Sequence, residues 1–188
     1  QRAARHIERQ YAACADSIGR DGALVDHHRD TRRGELHRHR PGGCHQVALP
    51  LMLAARNYLK KAKEPEKVYY CDEYLAVSYI ELKNGVEATT HAQKCLDFAQ
   101  SAQNEALETW ARYRLGCAKV LLGEFDEAED LLRQALATNV HAGNTDWDLA
   151  IELEKEIANI LVIKGRVAEA NEIKRRIATI EETMNDED

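Results

Sequence analysis

The chain has 188 residues, a hydrophobic share of 44% and a formal charge of −6. That length buries a core either as one domain or as an elongated stack of smaller units. The negative balance excludes a general nucleic-acid binder, which needs a basic surface for phosphates. The longest apolar runs, residues 47–55 and 157–163, fall well short of the roughly 20 residues that span a bilayer, so no membrane insertion is expected.

Residues 1–45 differ from the rest: nine arginines, no lysine and six acids give a net +3, leaving −9 for the remainder, and six of the eight histidines lie here. The chain opens at Gln1 without a signal-peptide series, and its natural amino terminus is expected upstream. Residues 1–26 read as the second helix of a partial repeat with its connection, on the phase of Ala15. Residues 27–64 read as a divergent repeat. Its first helix, His27 to Arg40, carries only Leu36 as a large apolar residue, and Pro41-Gly42-Gly43 makes the turn before Ala48 and Ala55 resume the pattern. His37, His39, Cys44 and His45 have zinc-ligand chemistry. Divergent native sequence and a reading-frame error between Gly19 and His45 are the competing explanations, and no metal site is assigned.

Residues 65–104 open on the junction Lys63-Glu64-Pro65-Glu66, where proline suits a first helical turn. Ala76, then Lys83-Asn84-Gly85-Val86-Glu87-Ala88, then Cys95 mark their two helices. The same signals return in residues 105–142 as Gly116, Gly123-Glu124-Phe125-Asp126-Glu127-Ala128 and Ala135. The first helix is predicted from Ala106 to Leu122, ended by Gly123 in the left-handed conformation. The second is predicted from Asp126 to Thr138, with Ala128, Leu131, Leu132 and Ala135 on one face. Residues 143–182 repeat the scheme with Ala158, Gly165 to Ala170 and Ile177; Thr145 is the expected helix cap and Asp148 its capping-box acid. The segment 183–188 reads as an acidic tail: Glu181 to Asp188 hold five acids and no base, which fits a fraying end. Ala76, Gly116 and Ala158 stand 40 and 42 residues apart, so the unit is a helical hairpin repeated in phase, and the fold class is all-α.

Residues 109–140 resemble the tetratricopeptide repeat family, with Leu115-Gly116, Gly123, Phe125, Ala128, Leu132 and Ala135 at its spacing. The departures are Arg112 in place of an aromatic, Val140 in place of proline, and Lys174 in place of an apolar residue. The period of about 40 residues is similar to the extended repeats of kinesin light chains and LGN-type adaptors, and bacterial signalling regulators carry comparable arrays. The resemblance implies stacked helical hairpins in a right-handed superhelix, an α-solenoid, whose concave face receives a segment of another protein. Carried onto this chain, the inward positions are Tyr70, Glu73 and Val77 with Ile80 and Glu81, then Trp110, Tyr113 and Cys117 with Val120 and Leu121, then Glu152, Lys155, Asn159 and Val162. Trp110 and Tyr113 are the strongest contacts if they face a partner; packing between first helices is the competing role. Lys155 and Asn159 match one element of the carboxylate clamp found in some relatives, whereas Tyr113 and Cys117 occupy the same positions one unit earlier.

No phosphate loop, GxSxG elbow or HExxH helix occurs, so no catalytic residue and no cofactor is assigned. The expected function is a non-catalytic adaptor or scaffold for a protein partner within a multi-protein complex. The competing readings are a structural segment of a cytoskeletal or ciliary assembly and a peptide-sensing regulatory array. Five widely spaced cysteines fit a reducing, cytoplasmic compartment.

Overall fold

The structure is a computed structural model that describes residues 43–141 and 146–186. Among them are seven helices and no strand: α1 Gly43–Lys61, α2 Pro65–Glu81, α3 Gly85–Ser101, α4 Glu105–Leu122, α5 Phe125–His141, α6 Trp147–Ile163 and α7 Val167–Asp186. The expected first helix of the divergent repeat and three members of the zinc-type cluster, His37, His39 and the side chain of Cys44, lie outside the described part. The fourth, His45, has Nδ1 3.0 Å from Ser78 Oγ.

Five turns between helices are built alike. Lys63, Lys83, Gln103, Gly123 and Gly165 all have positive φ, between 51° and 77°. At each, the residue's own N–H and the next N–H reach back to carbonyls of the preceding helix, as Gly123 N to Val120 O at 3.0 Å and Glu124 N to Lys119 O at 3.1 Å. This paired closure satisfies carbonyls that a helix end leaves open. The residue after it starts the next helix, so Asn84 and Asn104 cap α3 and α4 through side chains that accept from Glu87 N and Leu107 N. The first four turn residues recur every 20 residues, half the repeat length: one turn geometry serves both within a hairpin and between hairpins.

Each helix packs on the next in sequence, and α2 also contacts α4, and α4 contacts α6; no such contact joins α1 to α3, α3 to α5 or α5 to α7. The first helices of the units (α2, α4, α6) therefore line the inner side of the stack, and the second helices (α1, α3, α5, α7) splay on the outer side. The small residues of the repeat lie at the crossings within each hairpin. Ala76, Ala88, Ala128, Ala135 and Ala170 are fully buried and Ala158 nearly so. Gly116 shows why: a Cβ there would stand 2.8 Å from Leu132 Cγ, inside any tolerable contact, so α4 and α5 approach closely only with glycine. Apolar burial falls into three clusters strung along the stack, around Leu75 and Met52, around Leu96 and Leu115, and around Leu132, Leu153 and Leu161. Units that bury their faces mainly against neighbours behave in this quasi-one-dimensional way.

The entry into α6 departs from the expected capping box. The N-cap is Asp146, whose carboxylate accepts from Leu149 N at 3.0 Å; Thr145 lies outside the described residues. An ionised carboxylate at a helix N-terminus is the stronger cap, because it meets the open N–H groups with a full charge.

Candidate partner-binding face

The inner face is formed by side chains of α2, α4 and α6 at helical spacing. On α2, Tyr70 is exposed, while Glu73 and Val77 are half-buried. On α4 the expected contacts are drawn inward. Tyr113 is 8% exposed and belongs to one core cluster with Leu149, Leu153, Ile157 and Leu161 of α6, and Trp110 and Cys117 are half-buried against the same cluster. On α6, Lys155 and Asn159 are exposed, and Lys155 Nζ lies 3.3 Å from Glu152 and 3.7 Å from Glu181.

Trp110 and Tyr113 meet edge to face with centroids 6.0 Å apart. The Arg114 guanidinium stands 5.3 Å from the Trp110 ring and 4.9 Å from that of Tyr113. Sequence spacing did not single out Arg114, although its place four residues after Trp110 put both on one helix face. The cation stiffens the two rings. Burial pushes the Cys117 thiol up to about 12, so the group facing the middle of the stack stays a neutral thiol and not a nucleophilic thiolate. Nearby, burial and the neighbouring Glu152 raise the Glu156 carboxyl, against a hydrogen bond from Asn159 that lowers it.

A second set of charged groups lies between the layers. Asp72, Arg112 and Glu154 occupy one register in the three first helices, four residues before Ala76, Gly116 and Ala158. Asp72 Oδ1 accepts from Arg56 Nε on α1 and from His91 Nδ1 on α3, each at 2.6 Å. Burial alone would raise its carboxyl, but the hydrogen bonds from His91 and Arg56 outweigh it and hold it below the usual range. His91 stacks on Tyr79 at 5.6 Å. Glu154 receives Arg176 Nε at 2.8 Å, while its other oxygen is buried with no hydrogen-bond partner. Arg112 pairs with Glu108 along its own helix at 2.6 Å. Asp72 and Glu154 thus fasten neighbouring helices together, whereas the Arg112 pair stays within one helix. Among the described residues no three His, Cys, Asp or Glu side chains gather as metal ligands, and no helix is long and apolar enough to cross a membrane.

Residues 68–139 match the family model described as tetratricopeptide repeat. No curated protein sequence matches the chain. Among solved structures, the chain is similar to the apo form of RapI, with a TM-score of 0.67, 14% identity, and 76% of this chain against 52% of that one. It is similar also to aspartyl phosphate phosphatase F from Bacillus subtilis, with a TM-score of 0.65, 17% identity, and 76% of this chain against 37% of that one. The chain thus spans about half the length of the first and little over a third of the second, and at these identities the likeness is one of fold. Spacing, turn geometry, layered packing and the family match agree on tetratricopeptide-type repeats over residues 68–139, within helical hairpins stacked as an all-α solenoid.

Proposed function

We propose that the chain is a non-catalytic adaptor or scaffold segment that holds an extended or helical stretch of a partner protein along the inner face of α2, α4 and α6. The observation that carries this reading is the contact of α2 with α4 and of α4 with α6, without matching contacts among the second helices. It makes one continuous inner surface, and such surfaces grip a peptide over several units. Tyr70 at one end and Lys155 and Asn159 at the other supply accessible side chains. Trp110 and Arg114 form a half-buried ridge between them, and Tyr113 serves the face by supporting that ridge from the core. A cytoplasmic setting and membership of a larger complex belong to the same proposal.

The test is a triple variant, Tyr70→Ala, Lys155→Ala and Asn159→Ala, which removes only exposed groups. A photo-crosslinker at position 70 or 159 should trap a partner segment that a crosslinker at exposed Lys174 on α7 does not, and the triple variant should weaken that partner at least about tenfold, the scale of a few lost interface contacts. Equal trapping at position 174, or an unchanged affinity, would move binding off the inner face. A second reading is a peptide-sensing regulatory array, which the same continuous inner surface of α2, α4 and α6 would also suit. It predicts that the trapped partner is a short peptide whose binding alters a further domain or a second protein.

A further inference from the structure

On the outer side of the stack, where α1 and α3 splay apart, a cleft of about 440 Å³ opens down to α2. Its floor is apolar, made by Val68, Tyr69 and Phe98, and its rim carries Lys60, Lys63 and Lys94. None of the three lysines pairs with an acid among the described residues, whereas the acid beside them, Glu64, lies 3.5 Å from Lys67. Three unpaired cations around an apolar floor are unusual on a chain of charge −6. The chemistry they fit is a segment with one apolar side chain flanked by carboxylates: the apolar group removes the floor from water, and the acids meet the lysines at the rim.

The chain itself contains such a segment. Glu181-Glu182-Thr183-Met184-Asn185-Asp186-Glu187-Asp188 has five acids, no base and Met184 as its one large apolar residue. It cannot reach the cleft of its own molecule, because α7 runs as a helix to Asp186 and packs on α6 alone, at the far end of the stack from α1. We propose that the cleft between α1 and α3 takes the segment Glu181–Asp188 of a second copy of the chain, with Met184 on the floor of Val68, Tyr69 and Phe98 and the carboxylates on the three lysines. The contact joins two different surfaces, so copies either add head to tail or exchange the segment reciprocally as a pair. The cleft is separate from the inner-face contacts proposed above, although Glu181, the first residue of the segment, lies 3.7 Å from Lys155 of that face in its own chain.

The experiment titrates a dye-labelled peptide of the sequence Glu181–Asp188 into the full chain and follows sedimentation of the full chain with concentration. Saturable binding is expected, weakened about tenfold or more between about 50 and 500 mM salt, where screening shortens the reach of each charge. The same loss is expected from Met184→Ala in the peptide and from Lys60→Gln with Lys94→Gln in the chain, whose helicity circular dichroism checks. The native chain should gain mass with concentration and the lysine double variant should not, while Lys174→Gln should behave as native. Three results would overturn the proposal: no saturable binding, equal binding by the double variant, or equal binding of a scrambled peptide of the same composition. The last would mean that any acidic segment is accepted.

Discussion

Asn139, near the end of α5, holds the backbone of Asp146 by both of its polar atoms: Nδ2 donates to the carbonyl at 2.8 Å and Oδ1 accepts from the N–H at 3.2 Å. The side chain of Asp146 in turn caps α6, so one buried amide fixes where the last hairpin starts. Asn139→Ala should lower the unfolding free energy by about 2 kcal/mol, the sum of two modest hydrogen bonds and a desolvated backbone pair. Asn139→Asp should be as damaging, because it replaces the donor with a second acceptor. Urea midpoints measure both, and a change below about 0.5 kcal/mol, the scale of ordinary surface substitutions, would show that the linkage carries no stability.

Asp72 binds α2 to α1 through Arg56 and to α3 through His91. Replacing it with asparagine keeps the shape but leaves the Arg56 guanidinium, 15% exposed, without a counter-charge. Breaking a buried pair at one side costs about 3–5 kcal/mol, and access to water at Arg56 brings the expectation for Asp72→Asn to about 2–3 kcal/mol. Asp72→Leu together with Arg56→Met and His91→Leu should recover much of that loss, since an apolar replacement of the whole set leaves nothing unpaired. Thermal melts of the single and triple variants would check the order.

The turn residues Lys83 and Gln103 occupy the left-handed region, at φ 57° and 51°, where a Cβ is unfavourable and glycine is at ease. Lys83→Gly and Gln103→Gly should each stabilise the stack by about 0.5–1 kcal/mol. Gly123→Ala should do the reverse by about 1 kcal/mol. A Cβ at Gly123 would meet nothing within 4 Å, so its cost is backbone conformation alone. Opposite signs at equivalent positions, read from urea midpoints, are the discriminating result.

Glu129 on α5 ties the last hairpin to the preceding one. Its carboxylate lies 2.8 Å from Lys164 and 3.0 Å from Arg166, both in the α6–α7 turn, and 2.7 Å from Arg133. Burial would raise its carboxyl, but hydrogen bonds from Lys164 and Arg133 outweigh this and hold it down at about 2. A depressed folded value stabilises above the unfolded value, near 4.3, and that contribution fades as pH falls toward 2. Glu129→Gln should therefore cost on the order of 1–2 kcal/mol at pH 7 and nearly nothing at pH 2. Chemical denaturation of both proteins across that range should bring their stabilities together, and a gap that persists at low pH would assign the loss to packing.

The helices, their phase and the small residues at their crossings were legible in the order of residues alone. Those features depend on the 3.6-residue period and on spacing along one chain: Ala76, Gly116 and Ala158 marked the hairpins, and Gly123 and Gly165 marked two turns. The turns at Lys63, Lys83 and Gln103 were less legible, because lysine and glutamine do not by themselves demand a left-handed backbone; only the common 20-residue spacing does. How deep the inner-face side chains sit was settled by packing in three dimensions. Trp110 and Tyr70 hold the same position one repeat apart, yet the core cluster that includes α6 half-buries the first, while the second stays exposed. Packing also settled what the charges between layers do. Asp72 meets Arg56 and His91, and Glu154 meets Arg176, because crossing helices bring distant residues together at one height. A local pattern fixes which face of a helix a residue occupies; its partner depends on the angle and distance of the next helix, which no local pattern contains.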